Sequence, residues 1–267
     1  MTEQRHEILI TGANGQIGTL LRRTLRQADR HLRLLDIEPQ PEREADEAAT
    51  LIVGSFLEAD TMDRAAQGVD AIIHLGGLST DGFEWSQYLE VNINGTREVL
   101  EAARRCGVPR VIYASSNHAV GFYRYGDDQV PASLYPQPDT LYGVSKAASE
   151  SLCSLYHDRY GLDTVCLRIG SFQERPINVR MLWSWLSPGD CTRLIEAALD
   201  VPSPGFRMVW GVSANTRGIV SMHEGHEIGY FPVDNAEIYG LDVEGDDDRT
   251  APPNTLVGGP YATPDFE

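Results

Sequence analysis

The chain has 267 residues, 42% of them hydrophobic, which suits one well-buried α/β domain with a small appendage. Acidic residues outnumber basic ones by 39 to 22, and the resulting formal charge of −17 opposes binding to nucleic acid and to anionic membrane surfaces. An ordinary acidic cytosolic enzyme and a protein adapted to high salt both fit this charge.

The sequence has no apolar stretch of the roughly 20 residues that a membrane-spanning helix needs, and its first residues lack the apolar core of a signal peptide. We therefore expect a soluble, cytoplasmic protein with no membrane or nucleic acid partner. The cysteines lie far apart, at Cys106, Cys153, Cys166 and Cys191. Because they form no C-x-x-C pair, we expect neither a metal site nor disulfides.

Short apolar runs alternate with helical patterns through the first two thirds of the chain. The predicted strands are Glu7 to Ile10, Leu32 to Leu35, Thr50 to Val53, Ala71 to Leu75, Val111 to Ala114 and Thr164 to Ile169. The predicted helices are Ile17 to Ala28, Thr61 to Ala66, Trp85 to Cys106 and Tyr142 to Tyr160. Nearly continuous apolar runs are typical of strands buried on both faces. Their alternation with helices predicts a Rossmann-type α/β fold with a doubly wound parallel sheet.

The pattern loosens after Gly170, where a helix is predicted over Asp190 to Leu199. We predict a main domain over residues 1–170 and a small C-terminal lid and tail over 171–267, in one compact unit. The acidic, Pro- and Gly-rich stretch from Glu244 to Glu267 is interpreted as a mobile tail. The alternative is docking against a neighbouring subunit through Leu256, Val257, Tyr261 and Phe266.

A glycine-rich loop, T-G-A-N-G-Q-I-G, joins the first predicted strand to the first predicted helix. Glycines let the backbone turn tightly and approach a pyrophosphate, whose charge the N–H groups at the start of the helix can hold. This placement predicts a dinucleotide site. Its candidate residues are Gly12, Asn14, Gly15, Gln16, Ile17 and Gly18.

Asp36 closes the second predicted strand, beyond this loop. An acidic side chain there can accept hydrogen bonds from the adenosine ribose, and its charge opposes the 2′-phosphate of NADP. The alternative is an aspartate that only caps a turn. We therefore predict NAD as the cofactor, bound by the domain over residues 1–170.

Further cofactor contacts are expected where later strands end. Ser55 is the candidate near the adenine, and Leu75, Gly76 and Gly77 provide small residues where the backbone passes the cofactor. Asn92, in the long helix, is expected to bond backbone groups at the sheet, and Ile169 is a further candidate. His74 is interpreted as a packed strand residue rather than a catalyst.

Tyr142 and Lys146 are spaced to lie one turn apart on the same face of a helix. A phenol with a pKa near 10 is a poor base at neutral pH, but a neighbouring ammonium and the positive nicotinamide ring favour its phenolate form. We therefore expect Tyr142 to act as the catalytic base and Lys146 to hold the nicotinamide ribose as well. Ser115 and Ser116 follow the fifth predicted strand, and alternation is expected to expose only Ser116, whose hydroxyl can hold the reacting oxygen.

Five motifs together, T-G-A-N-G-Q-I-G, H-L-G-G, A-S-S-N-H, Y-G-V-S-K and R-I-G-S, resemble the extended short-chain dehydrogenase/reductase family. The longer strings, S-S-N-H-A-V-G-F-Y among them, are similar to family members that oxidise hexuronic acids, over nearly the whole chain. The resemblance implies oxidation of D-glucuronate or D-galacturonate at C1 to an aldarolactone, with reduction of NAD and without a metal. It also implies a sugar site, formed by Ser79, Ser116, Asn117, His118, Ser171 and Arg180. A guanidinium fork suits Arg180 to the substrate carboxylate.

Two other functions share the main motifs. A nucleotide-sugar epimerase or dehydratase normally has a longer region after the Tyr/Lys pair, and a non-catalytic NAD-sensing protein often lacks one of the pair. His223 to Glu227 lacks the H-E-x-x-H spacing of zinc sites and is predicted to be a solvated loop. The apolar helices Trp85 to Cys106 and Tyr142 to Tyr160 lead us to expect a homo-oligomer.

Overall fold

A computed structural model of the protein describes residues 6–27, 29–45, 47–244 and 255–263. Its strands are β1 (His6–Thr11), β2 (Arg30–Asp36), β3 (Ala49–Val53), β4 (Ala71–His74), β5 (Arg110–Ser116), β6 (Asp163–Ile169), β7 (Ser171–Phe172), β8 (Trp185–Leu186) and β9 (Phe206–Gly211). Its helices are α1 (Gln16–Thr24), α2 (Ala59–Ala66), α3 (Trp85–Gln87), α4 (Gly95–Cys106), α5 (Leu141–Tyr160), α6 (Met181–Ser184), α7 (Pro188–Asp200), α8 (His223–Glu227) and α9 (Gly240–Glu244).

Seven strands form one sheet in the order β3-β2-β1-β4-β5-β6-β9. The pairs that join β3, β2, β1, β4 and β5 are parallel. Extension of the sheet in both directions from β1 is the doubly wound arrangement of nucleotide-binding α/β proteins. The predicted Rossmann-type fold is therefore confirmed.

The predicted helix over Trp85 to Cys106 is not one regular α-helix. A π-helical segment, Tyr88–Asn94, separates α3 from α4. Asn92 lies in this segment, and its side chain bonds the backbone of Leu78 beyond β4 through both amide atoms, at 2.8 and 3.1 Å. π-Segments are frequent at functional sites, and local helix periodicity gives no signal for this tertiary contact.

Other boundaries also differ from the predictions. Helix α1 ends at Thr24, whereas the predicted helix extends to Ala28, which lies outside the described residues. The predicted loop at His223 to Glu227 is the short helix α8, so that prediction is wrong. Among the described residues, no helix is long and apolar enough to cross a membrane.

The chain divides into two compact units. The first unit comprises the described residues up to Ala114, with Ala148–Cys166 and Pro202–Arg207. The second comprises Ser115–Ala147, Leu167–Val201 and the described residues from Met208 onwards. The domain boundary predicted at residue 170 stays a prediction.

Each unit has its own buried core. In the first, the inner strands contribute fully buried aliphatic side chains such as Leu9, Ile10 and Leu34. In the second, Trp210, Val212 and Val257 are buried in one apolar cluster. Val257 comes from the predicted C-terminal tail, so the interpretation of a mobile tail is wrong for residues 255–263.

Candidate active site

The glycine-rich loop of the first unit depends on two close backbone approaches. Gly12 has a positive φ of 69°, and a Cβ there would lie 2.7 Å from the Gly76 nitrogen. A Cβ on Gly18 would lie 2.6 Å from the carbonyl oxygens of Gly12 and Ala13. Larger residues are therefore excluded at both positions. The loop leads into the first turn of α1, whose N–H groups have no partner within the helix, so this arrangement fits a dinucleotide pyrophosphate.

Asp36 lies at the carboxyl end of β2, as predicted, and is half-buried. Its Oδ2 accepts a hydrogen bond from the Asn14 backbone at 2.8 Å, and its Oδ1 accepts one from the Glu38 backbone at 3.3 Å. The Asn14 side chain in turn donates to the Glu38 carbonyl. The carboxylate therefore fixes the loop, and it retains acceptor capacity for ribose hydroxyls because each oxygen has a second lone pair.

The other predicted cofactor residues of the first unit follow β3 and β4. The Ser55 hydroxyl accepts from the Leu57 backbone at 3.1 Å, which leaves its proton for a ligand. Leu75 donates its backbone N–H to Thr11, and a Cβ on Gly77, at φ 151°, would approach Asn92 Oδ1 to 3.0 Å. These contacts place the loop after β4 against both the glycine-rich loop and the π-helical segment.

His74 is buried between two threonines. Its Nδ1 lies 2.7 Å from the Thr11 hydroxyl and its Nε2 lies 3.2 Å from the Thr96 hydroxyl. Both ring nitrogens are thus used inside the core, in agreement with a packed strand histidine rather than a catalytic one.

Ser115 and Ser116 are the last two residues of β5 and belong to the second unit. Ser115 is 3% exposed and Ser116 is 6% exposed, so the expectation that alternation exposes only one of them is wrong. Both are covered because the chain turns directly into a 3₁₀ segment, Asn117–Val120. The Ser116 hydroxyl caps this segment by accepting from the His118 backbone at 3.2 Å.

Tyr142 and Lys146 lie in the first turns of α5, which Thr140 caps by accepting from the Gly143 backbone at 3.0 Å. Both side chains are buried, and the Lys146 ammonium lies 5.6 Å from the centre of the Tyr142 ring. A Cβ on Gly143 would lie 2.3 Å from the His118 carbonyl oxygen, so this glycine lets the helix start against the segment that follows β5. The structure therefore brings Ser116, Tyr142 and Lys146 into one part of the second unit.

His118 connects the catalytic tyrosine candidate to a buried acid that sequence reasoning missed. Its Nδ1 lies 2.8 and 3.0 Å from the two carboxylate oxygens of Asp139. The imidazole packs edge to face with the rings of Tyr142 and Tyr261, at centroid distances of 5.9 and 4.8 Å. Asp139 lies three residues before Tyr142, at a position where acidic residues commonly cap helices, so its residue type alone gives no signal of a functional role.

Arg180 lies next to α6, with its guanidinium among neutral oxygens. Its Nη1 donates to the Ser171 hydroxyl at 3.3 Å and its Nη2 donates to the Val257 carbonyl at 3.2 Å. The Asn117 amide satisfies its surroundings when its oxygen accepts from Nη2 at 2.7 Å and its nitrogen donates to the Ile169 carbonyl at 3.2 Å. Four predicted residues, Asn117, Ile169, Ser171 and Arg180, thus lie together.

No carboxylate among the described residues lies within 4.0 Å of the Arg180 guanidinium, and its buried Nε has no hydrogen-bond partner there. Burial lowers the pKa of Arg180 because desolvation disfavours the charged form, and the charge of Asp139 opposes this shift. A guanidinium has five N–H donors. This one therefore presents a buried positive charge with donor capacity to spare, which suits an anionic ligand that accepts two hydrogen bonds.

Residues 255–263 were not assigned to any site by the sequence. Here their backbone pairs with the chain near Tyr123, Gly258 donates to the Gly121 carbonyl at 2.8 Å, and Val257 accepts from Arg180. Tyr261, proposed from sequence to dock on a neighbouring subunit, packs against His118 of the same chain. Phe266 lies outside the described residues. The sequence feature that indicates packing of this segment against the protein is the apolar pair Leu256 and Val257 within a polar stretch.

Two sequence-predicted features lie elsewhere. Ser79, a predicted sugar contact, lies exposed in the loop after β4, in the first unit. His223 and His226 lie on the exposed helix α8. Within the described part of the chain, no group of three or more His, Cys, Asp or Glu side chains is arranged to hold a metal ion.

The chain is similar to known proteins in both sequence and fold. The chain is 40% identical over 260 residues to a uronate dehydrogenase of Pseudomonas putida, with 96% of both proteins covered. Its structure resembles the crystal structure of uronate dehydrogenase from Agrobacterium tumefaciens, with a TM-score of 0.87 at 35% identity and 97% of both chains covered. It also resembles glucuronic acid dehydrogenase from Chromohalobacter salexigens, with a TM-score of 0.90 at 33% identity and 96% of both chains covered.

Residues 8–172 match the NAD dependent epimerase/dehydratase family, whose description names the predicted cofactor, NAD. This match spans more than half of the chain and includes the glycine-rich loop, Asp36 and the Tyr142/Lys146 pair. The chain therefore belongs to the NAD dependent epimerase/dehydratase family, the extended short-chain dehydrogenases/reductases that its motifs resemble.

Proposed function

We propose that the protein is an NAD-dependent uronate dehydrogenase, which oxidises D-glucuronate or D-galacturonate at C1 to the corresponding aldarolactone. The observation that carries this proposal is the partly buried Arg180 guanidinium, which lies beside Ser171 and Asn117 and has no carboxylate partner among the described residues. Burying a charge without a counter-ion is costly. A substrate carboxylate would offset that cost through two charge-assisted hydrogen bonds.

Binding the carboxylate at Arg180 would also determine which ring carbon is presented for reaction. A hexuronate carries its carboxylate on C5, and C5 and the anomeric carbon C1 are the two carbons that flank the ring oxygen, so holding the carboxylate in a fixed orientation also fixes the position of C1. This is an orientation effect, which lowers the barrier by restricting the substrate before the chemical step. Asn117, His118 and Ser171 offer polar groups for ring hydroxyls, and Ser79 stays a predicted contact.

Tyr142 is proposed as the general base. In the reaction, the C1 hydroxyl loses its proton to the Tyr142 phenolate while the C1–H bond breaks, and the Ser116 hydroxyl holds the same oxygen. The Lys146 ammonium stabilises the phenolate electrostatically and binds the nicotinamide ribose. When bound, NAD supplies the hydride acceptor. The pyrophosphate would be held by the loop from Gly12 to Gly18, and Asp36 would hold the adenosine ribose.

The proposal is tested by NADH formation at 340 nm with NAD and glucuronate, galacturonate, glucose or galactose. We expect turnover of the two acids and little of the neutral sugars. Arg180→Ala should lower kcat/KM for the acids about 100- to 1,000-fold, as expected for a lost charge-assisted contact. Arg180→Lys should retain more kcat/KM than Arg180→Ala but less than the native protein, because an ammonium lacks the planar fork of a guanidinium.

Arg175→Ala is the matched control, since Arg175 is an exposed arginine in the same segment. It should leave kcat/KM unchanged. Equal activity on acids and neutral sugars, or equal losses in the Arg175 and Arg180 variants, would remove the carboxylate-binding role. Activity on none of the four sugars would exclude the proposed function and favour the epimerase or dehydratase alternative.

The role of Tyr142 needs its own variant. Tyr142→Phe removes only the hydroxyl and should lower kcat for a hexuronate by about 100- to 10,000-fold, the contribution typical of a general base. The NAD dissociation constant, measured by fluorescence titration, should change little. Tyr135→Phe, at a tyrosine that is 83% exposed, is the control. A Tyr142→Phe enzyme with near-normal kcat would show that another group takes the proton.

A further inference from the structure

The Asp139 carboxylate is completely buried, although it lies only two residues before an active-site helix. Its side chain has no exposed surface, and the one hydrogen-bond partner that the described residues give its two oxygens is His118 Nδ1. Taking a carboxylate out of water is unfavourable unless a partner compensates for the lost hydration. A carboxylate buried with a single ring nitrogen as partner indicates that the pair itself has a role.

Three glycines close the backbone around this carboxylate. A Cβ added to Gly121 or to Gly258 would lie within 2 Å of Asp139 Oδ2, and one added to Gly143 would lie 3.2 Å from Oδ1. The glycines come from the segment after β5, from the C-terminal segment and from the start of α5. The acid is therefore held from three directions, and its position relative to His118 is fixed by main chain rather than by flexible side chains.

This geometry determines which nitrogen of His118 carries the proton. A carboxylate only accepts hydrogen bonds, so Nδ1, at 2.8 Å from it, must be the donor. In the neutral ring, Nε2 is then an acceptor. Among the described residues Nε2 has no hydrogen-bond partner, and the imidazole ring lies beside the rings of Tyr142 and Tyr261.

We infer that Asp139 is a positioning residue of the sugar site, which fixes the His118 ring with Nδ1 protonated so that Nε2 accepts a hydrogen bond from a ring hydroxyl of the substrate. The inference rests on the proposed function, because it takes His118 to be a sugar contact. It adds a specificity rule: the group opposite Nε2 must be a donor, so a hydroxyl is accepted and an O-methylated hydroxyl at the same carbon is rejected.

A double-mutant cycle tests the inference through Asp139→Asn, His118→Ala and the combined variant. Asp139→Asn should lower kcat/KM for a hexuronate about 10- to 100-fold, mostly through KM, because the amide can donate to Nδ1 and reverse the tautomer. The combined variant should be no worse than His118→Ala alone, since Asp139 acts only through the ring. The NAD dissociation constant should not change.

Asp190→Asn is the matched control. Asp190 is also fully buried in the second unit, but its oxygens accept from Arg193 and from the backbone of Val233 and Asp234. Its effect should add to that of His118→Ala. Additive losses for Asp139→Asn with His118→Ala would overturn the inference, because they would show a role of Asp139 independent of the ring.

Long-range ¹H–¹⁵N spectra of the histidine rings give a readout that needs neither turnover nor substrate. The His118 signals are those absent from His118→Ala. We expect Nδ1 protonation in the native protein and its loss in Asp139→Asn, whereas a native ring protonated at Nε2 would overturn the inference. A native enzyme inactive on hexuronates would exclude the proposed function, and the ring spectrum would still decide whether Asp139 fixes the tautomer.

Discussion

Two arginines with a buried Nε, Arg22 in α1 and Arg180 in the candidate sugar site, have opposite surroundings. Arg22, in α1, forms a two-point ion pair with Glu47, with Nε and Nη2 at 2.7 and 2.9 Å from the carboxylate oxygens. Its remaining donors reach the carbonyls of Pro41 and Glu42. Within the described part of the chain, the hydrogen-bond acceptors of Arg180 are neutral oxygens, and its Nε has no partner.

The pKa values follow this difference. Hydrogen bonding to Glu47 raises the pKa of Arg22, whereas desolvation lowers the pKa of Arg180. A guanidinium whose donors are all used inside the protein is a structural element. A guanidinium that is desolvated but incompletely paired still has N–H donors that can bind a ligand. Residue type and burial therefore do not distinguish a structural arginine from a functional one. The hydrogen-bond and ion-pair partners of the guanidinium do distinguish them.

The largest expected effect is on stability, from the paired arginine. Glu47→Gln removes the buried counter-charge of Arg22 and should lower the free energy of unfolding by about 3 kcal/mol, because it leaves a buried charge uncompensated. Urea unfolding measures this. Glu237→Gln, which breaks the exposed pair of Glu237 with Arg217, is the control and should produce no measurable loss. Equal effects of the two variants would refute the structural role given to the Arg22 pair.

The ion pair of Arg22 with Glu47 should also make the free energy of unfolding depend on pH. The Arg22 hydrogen bonds hold the pKa of Glu47 below its usual range. Such a group contributes its full stability above its unfolded pKa of about 4.3 and loses it as the pH falls through the folded value. We expect the free energy of unfolding to fall below about pH 5, with a smaller slope in Glu47→Gln. Identical slopes would show that Glu47 titrates alike in both states.

The smallest stability effect is expected at the unpaired arginine. Arg180→Leu exchanges an incompletely bonded charge for an apolar side chain and should change the free energy of unfolding by no more than about 1 kcal/mol, in either direction. Saturating hexuronate should raise the free energy of unfolding of the native protein, because the ligand binds its folded state. It should not raise that of Arg180→Leu, which lacks the carboxylate-binding group. A loss as large as that of Glu47→Gln would place Arg180 in the same structural class as Arg22.

The cofactor end of the protein could be predicted closely from the sequence. The glycine-rich loop and Asp36 lie where predicted, because they follow directly on β1 and β2. The Tyr142/Lys146 pair also lies as predicted, since one helical turn separates the two residues. In each case the functional geometry is set by neighbours in the chain, and local backbone rules determine those geometries.

The sugar end could not be predicted in the same way. Arg180 donates to a carbonyl 77 residues away in the chain, and its guanidinium also donates to the side-chain oxygen of Asn117, which follows a different strand. The pairing of His118 with Asp139 depends on three glycines from separate segments. The sequence pattern identified the polar and charged residues of this site as candidates. It did not show which of them contact one another or which become buried.

The amino-acid sequence by itself therefore determined the fold class, the position of the glycine-rich loop and the spacing of Tyr142 and Lys146, because strand and helix periodicity and short-range spacing are properties of adjacent residues. Only the tertiary structure decided that Arg180 has no counter-ion among the described residues, that His118 pairs with Asp139, and that residues 255–263 pack back onto the same chain. Burial and long-range hydrogen bonding depend on how distant segments fold together, and no local pattern contains that information.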